Sequence, residues 1–274
     1  MTTERVSSGD VTLVVDVQGE GQPILLLHGW PDTAALWRAV TPHLVEAGFQ
    51  VIAPDLRGCG RSDKPGAVED YRMHLLVADV AAVIGSLAGG RSHLVGHDLG
   101  ANLAWVTAAY LPAQVDRLVA LSVGHPTSFF ADNISQQIRS LYILLFEHPG
   151  IAEEWLLRDD ARALRHWTGH PDADSVLADI ERNGSLTTHL NWYRANITAR
   201  NWVSAPPTLP AIAAPTLGIW STNDLALTRE QMTASADHCS NGFEFEQLEG
   251  PGHWIPLDAP EVLADRLVRF LAAR

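Results

Sequence analysis

Asp98 sits between glycines in Gly96-His97-Asp98-Leu99-Gly100, after an apolar strand-like run and before the helix-compatible stretch Ala101 to Tyr110. A sharp strand-to-helix turn brings backbone against backbone, so glycines are required where a side chain would clash. The residue at the apex is then held at the carboxyl edge of a sheet, beside the first amides of a helix, where negative charge is favoured. Taken alone the motif is a weak signal, because an aspartate before a helix is more often its N-cap. Two further loops carry matching chemistry: Gly250-Pro251-Gly252-His253-Trp254 follows the last strand pattern, and Ser221-Thr222-Asn223-Asp224 follows the one before it. Any one of the 12 histidines is incidental by default. The order carboxylate, acid, histidine, each in a loop at a strand end, reverses that judgement, because it is the chain order of a nucleophile, an orienting acid and a base. His28-Gly29-Trp30-Pro31 follows Ile24 to Leu27; its glycine permits a tight bend and its proline stiffens it, which either aims the Trp30 amide into a cleft or makes an ordinary turn.

Placing these loops at one edge requires alternating strands and helices. Val11 to Val17 and Ile24 to Leu27 read as a strand pair joined through Gly19 and Gly21, with later strands at Val51 to Ala53, Leu94 to Val95 and Arg117 to Val123. Tyr71 to Leu87 carries Leu75, Val80, Val83 and Leu87 at helical spacing. From about Thr127 to Pro207 the chain has helical patterns and no convincing strand, with Ile134, Ile138, Leu141, Tyr142 and Leu145 predicted on one face. Pro206, Pro207 and Pro210 end that stretch; strands resume at Thr216 to Trp220 and Phe243 to Leu248, and an amphipathic helix closes the chain around Val262 to Leu271. The fold class expected is α/β: a mostly parallel central sheet flanked by helices, with an inserted helical cap. The division predicted is 1-126 and 208-274 for the core and 127-207 for the cap.

Composition narrows the partners. The 274 residues, 46% hydrophobic, suffice for one large core. Lysine plus arginine number 19 against 32 acidic residues, a formal charge of -13, so a nucleic-acid backbone would be repelled. The first residues lack the basic-then-apolar pattern of a secretory signal and no run of eighteen apolar residues occurs, so a cytoplasmic protein with no membrane partner is expected. Cys59 and Cys239 show no metal-ligand spacing, and nothing supports a disulfide between them.

With these pieces in place the chain resembles the α/β-hydrolase superfamily over essentially its whole length, and within it the epoxide hydrolases that use an aspartate nucleophile. The resemblance rests on HGWP at 28 to 31, DLRGCGRSDKP at 55 to 65, VGHDLGA at 95 to 101, FEHPG at 146 to 150, NWYRAN at 191 to 196, STND at 221 to 224 and GPGHW at 250 to 254. It implies that Asp98 attacks, His253 activates water and Asp224 orients His253, with the amides of Trp30 and Leu99 as the oxyanion hole. It also implies that Tyr142 and Tyr193 hold the epoxide oxygen. Leu99 departs from the tryptophan common in relatives, which alters the pocket and leaves the backbone N–H in place.

The elementary chemistry agrees with those roles. An aspartate of ordinary pKa, about 3.9, is ionised at neutral pH and attacks carbon without a base. A base is required only to draw a proton from water in the second step, when oxyanion donors bind charge on the ester carbonyl. Ring opening leaves an alkoxide, for which a phenol of pKa ~10 is a suitable donor. Such a site works without metal or organic cofactor on a small apolar epoxide and water, in a monomer or homodimer. Trp30, Phe129, Trp192 and Trp254 are the expected substrate contacts, with Trp155 and Trp167 as further aromatic candidates. The main rival is a haloalkane or haloacid dehalogenase using the same Asp98 ester, although Leu99 leaves its halide cradle incomplete and Asn102 offers no cation for a haloacid. An esterase is disfavoured because Asp98 stands where serine would attack. A small-molecule-binding protein without catalysis is disfavoured because Asp98, Asp224 and His253 are all present.

Overall fold

The computed structural model describes residues 1–131 and 133–273. Eight strands form one sheet: β1 (Thr2–Ser8), β2 (Val11–Gln18), β3 (Gln22–Leu27), β4 (Phe49–Asp55), β5 (Ser92–His97), β6 (Val115–Leu121), β7 (Thr216–Ser221) and β8 (Phe243–Leu248). Their spatial order is β1-β2-β4-β3-β5-β6-β7-β8. β1 and β2 pair antiparallel, as do β2 and β4, and every later neighbour is parallel. The pairing expected between Val11 to Val17 and Ile24 to Leu27 is not formed. β2 pairs instead with β4 and with β1, a strand that sequence reasoning missed because its residues are mostly exposed polar ones with little apolar alternation.

The central strands bury both faces, which is why they read as continuous apolar runs. In β3, Leu25 and Leu27 pack into one core with the helices Met73–Leu87 and Leu99–Tyr110. Ile24 and Leu26 point to the other face, against Leu44 and the helix Pro260–Leu271. Trp105 is fully buried and its indole N–H donates to the Val123 carbonyl at 3.0 Å, fixing the loop that leaves β6. Truncating it to alanine would cost roughly 3–5 kcal/mol.

The order reverses at β3: the chain steps to β4 on one side and crosses back to β5 on the other. In open parallel sheets that reversal opens a crevice at the carboxyl ends. Leu27 is in register with Gly96, and the pairing carries through β6 and β7 to Ser221 opposite Leu248. The loops after β3, β5, β7 and β8, which carry the four sequence motifs, therefore emerge at one edge.

Between β6 and β7 the described chain is helical, from Pro126–Phe129 through Ala199–Val203, with no strand among the described residues there. The predicted stripe over residues 134 to 145 is two short helices, Ile134–Arg139 and Tyr142–Phe146, not one. Ile134, Ile138 and Leu141 face outward, while Ile143 and Phe146 supply the buried side. Ser140 and Leu141 break the helical phase, so the periodicity across them has no common face.

Candidate active site

Asp98 stands between the end of β5 and the helix Leu99–Tyr110 with φ 54° and ψ −122°, a left-handed conformation that costs a non-glycine residue on the order of 1–3 kcal/mol. The neighbouring glycines make the turn possible. A Cβ on Gly96 would lie 2.3 Å from the Gly100 carbonyl oxygen, one on Gly100 would lie 2.2 Å from that of Leu27, and one on Gly29 would lie 2.3 Å from the Asp98 Cβ. The loops after β3 and β5 thus press together until the Trp30 amide donates to Asp98 Oδ1 at 2.9 Å. Leu99 opens the helix, so its N–H has no intrahelical acceptor.

His253 and Asp224 arrive from the loops after β8 and β7. The His253 Nε2 lies 3.6 Å from Asp98 Oδ2, an ion-pair distance too long for a hydrogen bond, while Nδ1 lies 2.9 Å from Asp224 Oδ2. The other Asp224 oxygen accepts from the Ala226 and Leu227 amides, both at 2.9 Å. Ser221 Oγ donates to the Gly252 carbonyl and Asn223 Nδ2 to that of Gly250, each at 2.7 Å, stitching the acid loop to the histidine loop.

Burial alone would strip His253 of its proton, but the charges of Asp224 and Asp98, with the hydrogen bond to Asp224, outweigh it and push the pKa up to about 10. Burial likewise raises the carboxylates, yet contact with His253 and backbone amides holds both Asp98 and Asp224 below the ordinary range. The directions of these shifts favour an imidazolium held between two carboxylates. Burial, with the Asp98 charge behind it, pushes the Tyr142 and Tyr193 phenols above their usual value.

Asp98, His253, Trp30, Trp254, Tyr142 and Tyr193 all line one cavity of about 140 Å³. The two tyrosines come from Tyr142–Phe146 and Leu186–Asn196, and their rings meet edge-on at 6.2 Å. A smaller apolar recess of about 20 Å³ shares Asp98 and both tyrosines with that cavity, and Leu99 and Phe129 line this recess instead of the main space. Trp192 lies apart from both: it is buried, its indole N–H donates to the Arg57 carbonyl at 2.9 Å, and it borders a third, water-sized space. Trp167 lines the main cavity, whereas Trp155 packs behind it with ring centres 5.2 Å apart.

Several residues at the site were not singled out from sequence. His97 donates from Nε2 to the His253 carbonyl at 2.9 Å, and burial, with His253 adding to it, pushes its pKa down to about 4. Asp32 accepts from His170 in the cap at 3.1 Å and from the Trp254 indole at 3.0 Å, tying the cap to the residue after His253. Arg139 donates to the Asp224 carbonyl at 2.7 Å. His97 and Asp32 directly flank motif residues, a signal of position only; nothing in the sequence marks His170 or Arg139. Among the described residues no group of three or more His, Cys, Asp or Glu side chains is placed to hold a metal ion.

Residues 22–260 match the family model described as alpha/beta hydrolase fold. The chain is 32% identical to Epoxide hydrolase A of Mycobacterium tuberculosis (strain ATCC 25618 / H37Rv), with 98% of this chain and 97% of that protein covered. It is 30% identical to the AB hydrolase superfamily protein YfhM of Bacillus subtilis (strain 168), covering 97% and 96%. Its structure superposes on that of Epoxide Hydrolase A from Mycobacterium thermoresistibile with a TM-score of 0.84 at 28% identity, over 99% of this chain and 98% of that one.

Proposed function

Because the chain belongs to the alpha/beta hydrolase family, we propose that it is an epoxide hydrolase, opening an epoxide to a vicinal diol through a covalent ester on Asp98. The observation that carries this reading is the convergence of Asp98 and two cap tyrosines on one cavity. A carboxylate alone serves any displacement at carbon; two phenols facing it serve one that leaves an alkoxide. Epoxide hydrolases among the relatives support the same assignment.

The cycle closes in protons. Asp98 attacks an epoxide carbon, the C–O bond breaks toward Tyr142 and Tyr193, and one phenol gives its proton to the alkoxide. Esterification removes the Asp98 charge that had held the proton on His253, so the imidazolium gives up a proton that restores the phenol. Neutral His253 then takes a proton from water, whose oxygen attacks the ester carbonyl while the Trp30 and Leu99 amides bind the oxyanion. Collapse releases the diol and returns Asp98 as carboxylate beside the imidazolium, with Asp224 fixing the ring throughout. Residues 127-207 act as the cap that delivers the phenols, and Trp30, Trp167 and Trp254 favour an apolar substrate.

The test is a single turnover in oxygen-18 water with styrene oxide and a panel of aliphatic, cyclic and disubstituted epoxides, run beside comparable haloalkanes. Diol carrying an unlabelled enzyme oxygen, with heavy oxygen left on Asp98, is the expected result. Label entering the diol directly would overturn the nucleophile assignment, and dominant halide release without diol would reassign the chain to dehalogenation. Unchanged ligand across the whole panel would support a binding protein.

A further inference from the structure

The lining of the main cavity changes character from floor to mouth. Asp98, Tyr193 and Trp30 are buried at one end, whereas Leu225, 75% exposed, and the exposed side chains of Arg139 and Asp258 border it at the other. The rings of Trp167 and Trp254 belong to the wall. Arg139 is the one lysine or arginine among the described residues that line this space. It closes the short cap helix Ile134–Arg139, and its Nη1 donates to the Asp224 carbonyl at 2.7 Å. Asn223, Leu225 and Ala226, on either side of Asp224 in the chain, line the same cavity, so that bond seats the guanidinium on the cavity wall.

The bond to Asp224 occupies one of the five N–H donors of a guanidinium. Arg57, Arg61 and Arg194 are each matched by a carboxylate within 2.9 Å, whereas Arg139 has no such partner among the described residues. Asp258, the other charged group at the mouth, is engaged by the Gly252 amide, which donates to its Oδ2 at 2.9 Å. A planar guanidinium with donors to spare fits the two oxygens of a carboxylate. In a chain of formal charge -13 most of the surface turns an anion away, so an unmatched cation on the cavity wall marks where one is admitted.

We infer that Arg139 is a specificity-determining residue that selects substrates whose apolar body ends in a carboxylate. The reacting carbon lies at Asp98, the body along Trp167 and Trp254, and the carboxylate on Arg139 at the mouth. The inference rests on the epoxide-opening reading for its chemistry and on the cavity alone for its ligand. Because the same side chain holds the Asp224 carbonyl, its loss slows every substrate; the preference for charge is what separates recognition from support.

The test compares styrene oxide bearing a ring carboxylate, and terminal epoxides on straight-chain carboxylates of increasing length, with the corresponding primary amides, which keep the shape and lose the charge. In the unaltered protein at low salt the best-fitting acid should exceed its amide about tenfold in kcat/KM, with the difference residing in KM. High salt should shrink that ratio. Arg139→Met should erase it, and Arg139→Lys, which keeps the charge without the fork, should retain part of it. Taking the ratio cancels any damage common to acid and amide. Acids and amides handled alike by the unaltered protein at every length overturn the inference, as does a preference that survives Arg139→Met. A preference for the matching amine-bearing epoxide also overturns it, and gives the mouth to Asp258. Should Arg139→Met fail to fold, the ratio in the unaltered protein and in Arg139→Lys decides the matter. If the unaltered protein opens no epoxide at all, the epoxide reading fails; calorimetric titration with phenylbutanoate and phenylbutanamide then judges the arginine, tighter binding of the acid supporting it and equal binding overturning it.

Discussion

Replacing Asp98 with asparagine should release the proton of His253 across the neutral range. The imidazolium owes its pKa of about 10 to two carboxylates, and the Asp98 oxygen lies 3.6 Å from Nε2. Unit charges about 4 Å apart interact by ~4 kcal/mol at an effective dielectric constant near 20, equivalent to a factor of about a thousand in proton affinity. His253 is only 8% exposed, so solvent screening does little to reduce that figure. Removing the charge while keeping the shape should therefore carry the midpoint from about 10 down toward neutrality, with Asp224 still holding the ring. The assay is an NMR titration of the His253 ring protons in the parent and in Asp98→Asn. The ester intermediate is the natural counterpart of this variant, so hydrolysis of a preformed adduct should accelerate with pH through the same lowered midpoint. A parent histidine that titrates near its ordinary value, or an Asp98→Asn protein whose midpoint stays where the parent's was, would refute the proposed proton cycle even if turnover were normal.

Replacing His253 with glutamine should let the Asp98 ester form and persist, seen as an adduct by intact mass after mixing with an epoxide; turnover at the parental rate with no adduct would refute its role as the base. Tyr142→Phe or Tyr193→Phe should each slow ester formation by roughly a hundredfold, since one donor to developing oxyanion charge is worth ~3 kcal/mol, and the double variant should open epoxides scarcely at all. Stability should also follow pH: the folded pKa of His253 lies above its unfolded value, so its contribution is complete below about pH 6.5 and is lost as the pH climbs through about 10. Asp98 and Asp224 are held below their unfolded values, so their contributions are present above about pH 4 and are lost as the pH falls through the lowered values; chemical denaturation across pH should show both edges. Among glycines, Gly85 lies inside the helix Met73–Leu87 with open space where a methyl group would stand, so Gly85→Ala should add about 0.5–1 kcal/mol. Gly100→Ala, facing a carbonyl at 2.2 Å, should disrupt the Asp98 turn, and thermal melts of the two variants should move in opposite directions.

What could be read from sequence divides along physical lines. The strands Phe243–Leu248 and Thr216–Ser221 and the closing helix Pro260–Leu271 were legible because buried faces impose a periodic or continuous apolar code. The turn at Asp98 was legible because only glycine fits its three close approaches. β1 was not, since an edge strand buries little and leaves almost no apolar signature. The pairing of β2 with β4 was hidden because strand order is decided by contacts far apart in the chain. The same limit explains Asp32 and His170, whose meeting depends on how the cap sits and not on any local spacing. Trp192 shows the converse: a tryptophan looks like a ligand contact in sequence, yet its indole is consumed in holding the Arg57 carbonyl.

The insertion between β6 and β7 has an implication for how such a catalyst can change. Asp98, Asp224, His253 and the amides of Trp30 and Leu99 all hang from the ends of sheet strands, whereas both phenols come from one uninterrupted excursion of the chain. On the proposed reading, the sheet-borne part makes and breaks an ester on itself whatever group departs, and the excursion decides which departing group is welcomed. On that reading the two tasks sit on separate stretches of the chain. Duplication followed by drift confined to the excursion could yield a new leaving-group preference without a single change at the residues that hydrolyse the ester, and a laboratory graft of a foreign excursion between β6 and β7 would attempt the same jump in one step.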